Sequence, residues 1–181
     1  MTAVRHHLAQ LNIGRLAAPL DSAQLADFVS GLDPVNALAD AAPGFVWRLK
    51  DEDGGNATSY AISDDPMVIV NMSVWTDHRS LWNFVYDDTH RALLHRRREF
   101  FTRMAQAYTV LWWVPAGHLP TLDEARDRLE HLRTHGPTAH AFRLQDEDFA
   151  PPAKDAAAAD PAAEPEGARP AGAGGTPSGA S

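Results

Sequence analysis

Cysteine is absent from this chain of 181 residues, which excludes disulfides, thiolate metal sites and cysteine nucleophiles. Basic residues are outnumbered: 16 Lys and Arg against 24 Asp and Glu give a net charge of −8. An excess of acid argues against a nucleic-acid partner, which would select a basic surface. No apolar run approaches the roughly 20 residues needed to span a bilayer. The N-terminus, MTAVRHHLAQLNIG, lacks the basic-then-apolar layout of a signal peptide, so the expected location is the cytoplasm. GxGxxG, P-loop, GxSxG and HExxH patterns are also missing, which argues against nucleotide, serine-hydrolase and zinc-protease chemistry.

Hydrophobic residues make up 44% of the chain, enough for one domain with a core. The composition changes near Gln145. From there the chain is largely Ala, Pro, Gly, Glu and Ser, with too little apolar surface to offset the entropy of ordering. The expected organisation is therefore a folded domain over 1–145 and a disordered tail over 146–181.

Within the domain, hydrophobic periodicity alternates between two and about 3.6 residues. Strands are expected over Val4–Ile13, Phe45–Lys50, Met67–Trp75 and Tyr108–Val114, with shorter pieces at Tyr60–Ile62 and Ala139–Leu144. Asp21 or Ser22 caps a first helix that Pro34 is expected to break or restart. Thr76 or Asp77 caps a second helical region, renewed near Asp87. Thr121 caps a third helix, closed by Gly136. The order β, α, β, β, α, β, then α, β is an α+β, ferredoxin-like split βαβ plan with an antiparallel sheet and an extra C-terminal helix and strand. Apolar residues occur on both faces of the third strand: Val68, Val70, Met72 and Val74 on one, Ile69 and Trp75 on the other. Helices on one face would leave the second open, so a homodimer through that face is expected.

One stretch carries polar residues in an apolar stripe. Tyr86, His90, Leu93, Arg97, Phe101 and Met104 recur at spacings of three and four, and would share one helix face. The spacing suggests a pocket lined by that helix and the sheet, holding a small-molecule ligand. His90 and Tyr86 are the candidate catalytic pair, because a neutral imidazole is a base near pH 7. The plainer alternative for His90 is a helix-start residue bonded to Asp87 or to backbone. Tyr86 could equally pack with its hydroxyl at the surface. Arg97 could hold a carboxylate or phenolate, or reach solvent instead. Asn12 and Asn71 are polar interruptions of apolar strands, and with Trp75 they are the candidate substrate contacts on the sheet side. His131 and His135, four apart on a helix, lack a third metal ligand nearby and fit a solvated face.

Several segments together resemble a known family: HLAQLNIGRL, PGFVWRL, VNMSVW, SLWNFVY with RRREFF, and LWWVPAGHLPTLDEARDRLEHLRTHGPTAHAF. They are similar to an uncharacterised bacterial domain-of-unknown-function family, family 3291, of the dimeric α/β-barrel superfamily. The resemblance runs from about His6 to Phe142. It implies a dimeric α/β-barrel fold distantly similar to the antibiotic-biosynthesis-type monooxygenases, with a pocket-facing histidine near His90. The activity it implies is a cofactor-independent, monooxygenase-like reaction on a small hydrophobic or aromatic substrate, with no metal or flavin. Two alternatives stay open beside it. One is a non-catalytic ligand-binding dimer; the other is a haem-binding or haem-degrading protein using His90 or His95.

Overall fold

The computed structural model describes residues 5–51, 56–87 and 96–152. Four strands form one antiparallel sheet: β1 (His6–Arg15), β2 (Phe45–Arg48), β3 (Val68–Trp75) and β4 (Thr109–Pro115). Their order across the sheet is β2-β3-β1-β4. Because β1 and β2 both run antiparallel to β3, which lies between them, they point the same way. That is the split βαβ arrangement, and the α+β, ferredoxin-like expectation holds.

Among the described residues the helices are α1 (Ala26–Ala41), α2 (His78–Val85), the single turn α3 (Arg97–Phe100) and α4 (Leu122–His135). Two of them start on the residues the sequence indicates. Asp77 accepts a hydrogen bond from the Ser80 amide, and Thr121 accepts one from the Glu124 amide. Each side chain satisfies a donor that the first helical turn leaves orphaned. Gly136 ends α4 with φ of 75°, a conformation that favours glycine.

Register sorts the strand residues into two faces. On one, Ala9, Leu11, Ile13, Val70, Met72, Val74, Val110, Trp112 and Val114 form a continuous buried cluster with Ala125, Leu129 and Leu132 of α4. This overturns the reason for expecting a second copy on an open face. The chain's own α4, with Ala57 and Ile62 between β2 and β3, covers that face, and Leu11, Val74, Val110 and Trp112 are fully buried within a single chain.

Several local expectations are also corrected. Pro34 lies inside α1 without ending it. A proline removes one hydrogen bond to the carbonyl four residues earlier. Here that carbonyl belongs to Ser30, and both residues are exposed, so water can take the lost partner's place. The expected helical stripe from Tyr86 to Met104 is not one helix. α2 stops at Val85, Tyr86 is its C-cap, and Phe101 has left α3 to bridge Leu16 at the end of β1. Tyr60–Ile62 is irregular, with a bend at Ile62, rather than strand. Ala139–Leu144 forms isolated bridges, including Leu111 with Phe142, and no strand. Packing also continues past Gln145: Phe149 lies against Phe142, and its carbonyl accepts from the Trp113 indole at 2.8 Å.

Candidate ligand-binding site

The opposite sheet face carries a different pattern. At one end, Leu8, Trp75, Leu81, Leu111 and Phe142 form an apolar cluster under α2. At the other, Leu16, Leu25, Ile69 and Phe100 form a second cluster. Between them the register places polar side chains side by side. Asn12 pairs with Asn71 on one side and Thr109 on the other, and Gln10 pairs with Ser73. Alternation makes this row inevitable once the strands are aligned. Residues 10 and 12 of β1 share a face, as do 71 and 73 of β3.

The row is partly bonded within itself. Thr109 donates to the Asn12 carbonyl oxygen at 3.2 Å, and Ser73 donates to the Gln10 carbonyl oxygen at 3.0 Å. The Trp75 indole N–H donates to Ser73 at 2.9 Å. Asn71 sits at the centre of the sheet yet is exposed. A mid-sheet asparagine reaches solvent only where nothing packs over it.

What lies over it is a cavity in two lobes. The smaller, about 180 Å³, is walled by Phe28, Leu32, Ile69, Phe100 and Phe101. The larger, about 420 Å³, is walled by Phe45, Trp75, Phe84, Tyr108 and Leu111. Asn12, Val35, Asn36, Arg48, Asn71 and Arg97 line both. α1 forms the roof, and the space beneath it explains why Ala39 is the only buried residue of that helix. Phe101 reaches the sheet because residue 14 is glycine: a Cβ there would stand 2.6 Å from the Phe101 ring.

Among the described residues three arginines line the cavity, and they differ in how their charge is used. Arg48, buried to 9% exposure, donates to Asp40 at 2.8 and 3.3 Å. Arg143 grips Asp146 with two bonds, 2.9 and 3.0 Å. Arg97 lies with its guanidinium carbon 4.2 Å from the centre of the Tyr108 ring. Among the described residues it has no carboxylate partner.

The Arg48 hydrogen bond, against some opposing desolvation, holds the Asp40 carboxyl below its ordinary value of 3.8. A lowered carboxylate pKa stabilises the fold above the unfolded value and loses that effect as pH falls through the folded one. Asp40→Asn should therefore cost about 1 kcal/mol at pH 7, a figure reduced because Asp40 is partly exposed. Comparing urea unfolding of the two proteins at pH 7 and pH 3 checks this. The difference should shrink at the lower pH.

The residues expected from the sequence separate into three groups. Asn12, Asn71 and Arg97 line the cavity, and Trp75 walls its larger lobe. Tyr86 does not join them. It is 50% exposed and its ring lies 4.5 Å from Trp82, because α2 ends just before it. His90 and His95 lie outside the described residues. Gln10, Arg48 and Thr109 were not singled out from the sequence, although Gln10 lies two residues from Asn12 on the same strand face.

Among the described residues, no group of three or more His, Asp or Glu is placed to hold a metal. His131 stacks on His135 at 4.5 Å and lies 4.7 Å from His140. Arg128 approaches the Nδ1 of His140 at 2.6 Å and donates to its carbonyl at 2.8 Å. Burial, Arg128 and His131 together lower the His140 pKa. No helix among the described residues is long and apolar enough to cross a membrane.

Among solved structures, the chain is similar to SnoaB, a cofactor-independent oxygenase from Streptomyces nogalater. The identity is 18% and the TM-score 0.39, over 62% of this chain and 95% of that one. It is also similar to a conserved protein from Methanosarcina mazei Go1, with 10% identity and a TM-score of 0.42 over 61% and 93%. A putative antibiotic biosynthesis monooxygenase from Chloroflexus aurantiacus J-10-fl gives 14% and 0.39 over 64% and 98%. No curated protein matches the chain. The sequence model described as Domain of unknown function (DUF3291) matches residues 7–159, and the chain therefore belongs to that family.

Proposed function

We propose that this domain binds a small, largely hydrophobic organic molecule over the sheet, and that the site supports cofactor-independent, monooxygenase-like turnover. The observation that carries the binding is the polar row itself. Asn71 stands unpacked at the centre of a sheet whose neighbouring residues at either end are buried in apolar clusters. A polar group in that position is positioned to meet a ligand. The apolar walls bind the body of the molecule, and Asn12, Asn71 and Arg97 contact its polar end.

The same arrangement suits an oxygenation that proceeds through the substrate's own anion. Removing a proton from an enol or phenol leaves an oxyanion, which amide and guanidinium donors stabilise. Dioxygen is then the oxidant and the substrate anion supplies the electrons. His90 remains the candidate base. Tyr86, half exposed against Trp82, is given no role, and the proposal needs no second copy of the chain.

The binding step is tested with the neutral fluorophore N-phenyl-1-naphthylamine. Its emission should rise on mixing with the protein, and Asn71→Phe, which fills the space above the row, should abolish the rise. Asn71 is exposed, so the substitution should shift stability by no more than about 1 kcal/mol. A probe that binds the variant as well as the parent would place binding elsewhere. Oxygen uptake with a naphthoquinol, above the uncatalysed rate and lost in His90→Ala, tests turnover.

A further inference from the structure

We infer that the ligand is a monoanionic acid, an aromatic or aliphatic carboxylate whose head group sits at the junction of the two lobes against Arg97. The inference rests on the binding role proposed above and narrows it to a substrate class.

The argument is a matter of charge. Of the three guanidinium groups that line the cavity among the described residues, two are already engaged. Arg48 faces Asp40 at 2.8 Å and Arg143 faces Asp146 at 2.9 Å. Arg97 is half-buried, lines both lobes and has no carboxylate among the described residues. It is braced from one side by the Tyr108 ring at 4.2 Å. A ring face holds a guanidinium in place without consuming its N–H donors. Those donors are therefore left for a group that enters the cavity, and a planar carboxylate matches their fork geometry.

The charges among the described residues favour one negative charge on that group. A phosphate dianion would call for a second unpaired cation, and the other two lining arginines are paired. The amides of Asn12 and Asn71, which line the same junction, add neutral hydrogen-bonding capacity without further charge. The larger lobe, with Phe45, Trp75, Phe84 and Tyr108 in its wall, then takes the apolar body.

The test uses three probes with one ring system: 1-naphthoate, 1-naphthamide and 1-naphthyl phosphate, titrated against the full chain by calorimetry. Naphthoate should bind about tenfold or more tighter than naphthamide, the ratio expected for one charge-assisted contact. Naphthyl phosphate should bind more weakly than naphthoate. Arg97→Met, which keeps an apolar chain against Tyr108, should bring naphthoate down to the affinity of naphthamide and leave naphthamide within about twofold. Added sodium chloride should weaken naphthoate and not naphthamide in the parent protein, a readout that needs no variant. Equal binding of acid and amide would overturn the carboxylate assignment and leave the binding site standing. Preference for the phosphate would overturn the monoanion. Binding of none of the three would overturn both this inference and the function on which it rests.

Discussion

Replacing Leu129 by alanine should lower the free energy of unfolding by about 2–5 kcal/mol. Leu129 is 3% exposed and belongs to the cluster that joins α4 to the sheet. Removing its isobutyl group forfeits the transfer energy of those atoms and leaves a void that a helix on a sheet cannot easily close. Leu129→Asp should go further. It adds an unpaired carboxylate to the same void, at a cost of several kcal/mol, and the sum reaches the whole stability of an ordinary domain. Urea unfolding followed by circular dichroism measures the first; loss of soluble folded protein reports the second. A change below about 0.5 kcal/mol for Leu129→Ala would show that α4 is not what closes this face.

Trp75→Ala should be as damaging, with an expected loss of about 3–5 kcal/mol. The indole is 1% exposed. Its ring stacks on Phe84 at 5.0 Å and meets Phe45 edge-on at 5.4 Å, and its N–H is satisfied by Ser73. The residue is therefore as much a support of the cavity wall as a surface for a ligand. Trp75→Phe, which keeps an aromatic body and drops the N–H, should cost about half as much and leave the Asn71 side of the cavity intact. Thermal and urea unfolding of the two variants, compared with probe binding by each, separates the supporting role from any direct contact.

The sheet was legible in the sequence because its signal is local. Alternation over Val68–Trp75 sorts residues between two faces, and the observed register keeps that sorting residue by residue. Asn12 and Asn71 stood out for the same reason: a polar side chain in an apolar strand is visible without knowing the fold. That they face each other was not visible, since it depends on how β1 pairs with β3. Arg48 was hidden for a similar reason. One basic residue at the end of FVWR looks ordinary until Asp40, in the last turn of α1, closes on it. The stripe from Tyr86 to Met104 misled because spacing does not register an interruption. Three- and four-residue intervals continue in the list of residues even where α2 has ended at Val85 and Phe101 has turned to bridge Leu16 just past β1. The apolar second face does not by itself call for a partner copy, because α4 with Ala57 and Ile62 closes it within the chain.

The polar row has a consequence for how the domain comes apart. It divides one sheet face into two apolar clusters that do not share a continuous interior. Apart from Ile69 on β3, the cluster at Leu16, Leu25 and Phe100 is held by short elements: a single 3-10 turn, the four-residue α3 and the isolated bridge from Leu16 to Phe101. Such a region can open sub-globally while the strands behind it stay protected. A molecule seated over Asn71 would touch both clusters at once. Besides stabilising the folded state by mass action, it would join two cooperative units into one, so that the empty domain loosens in stages and the filled one melts as a single body.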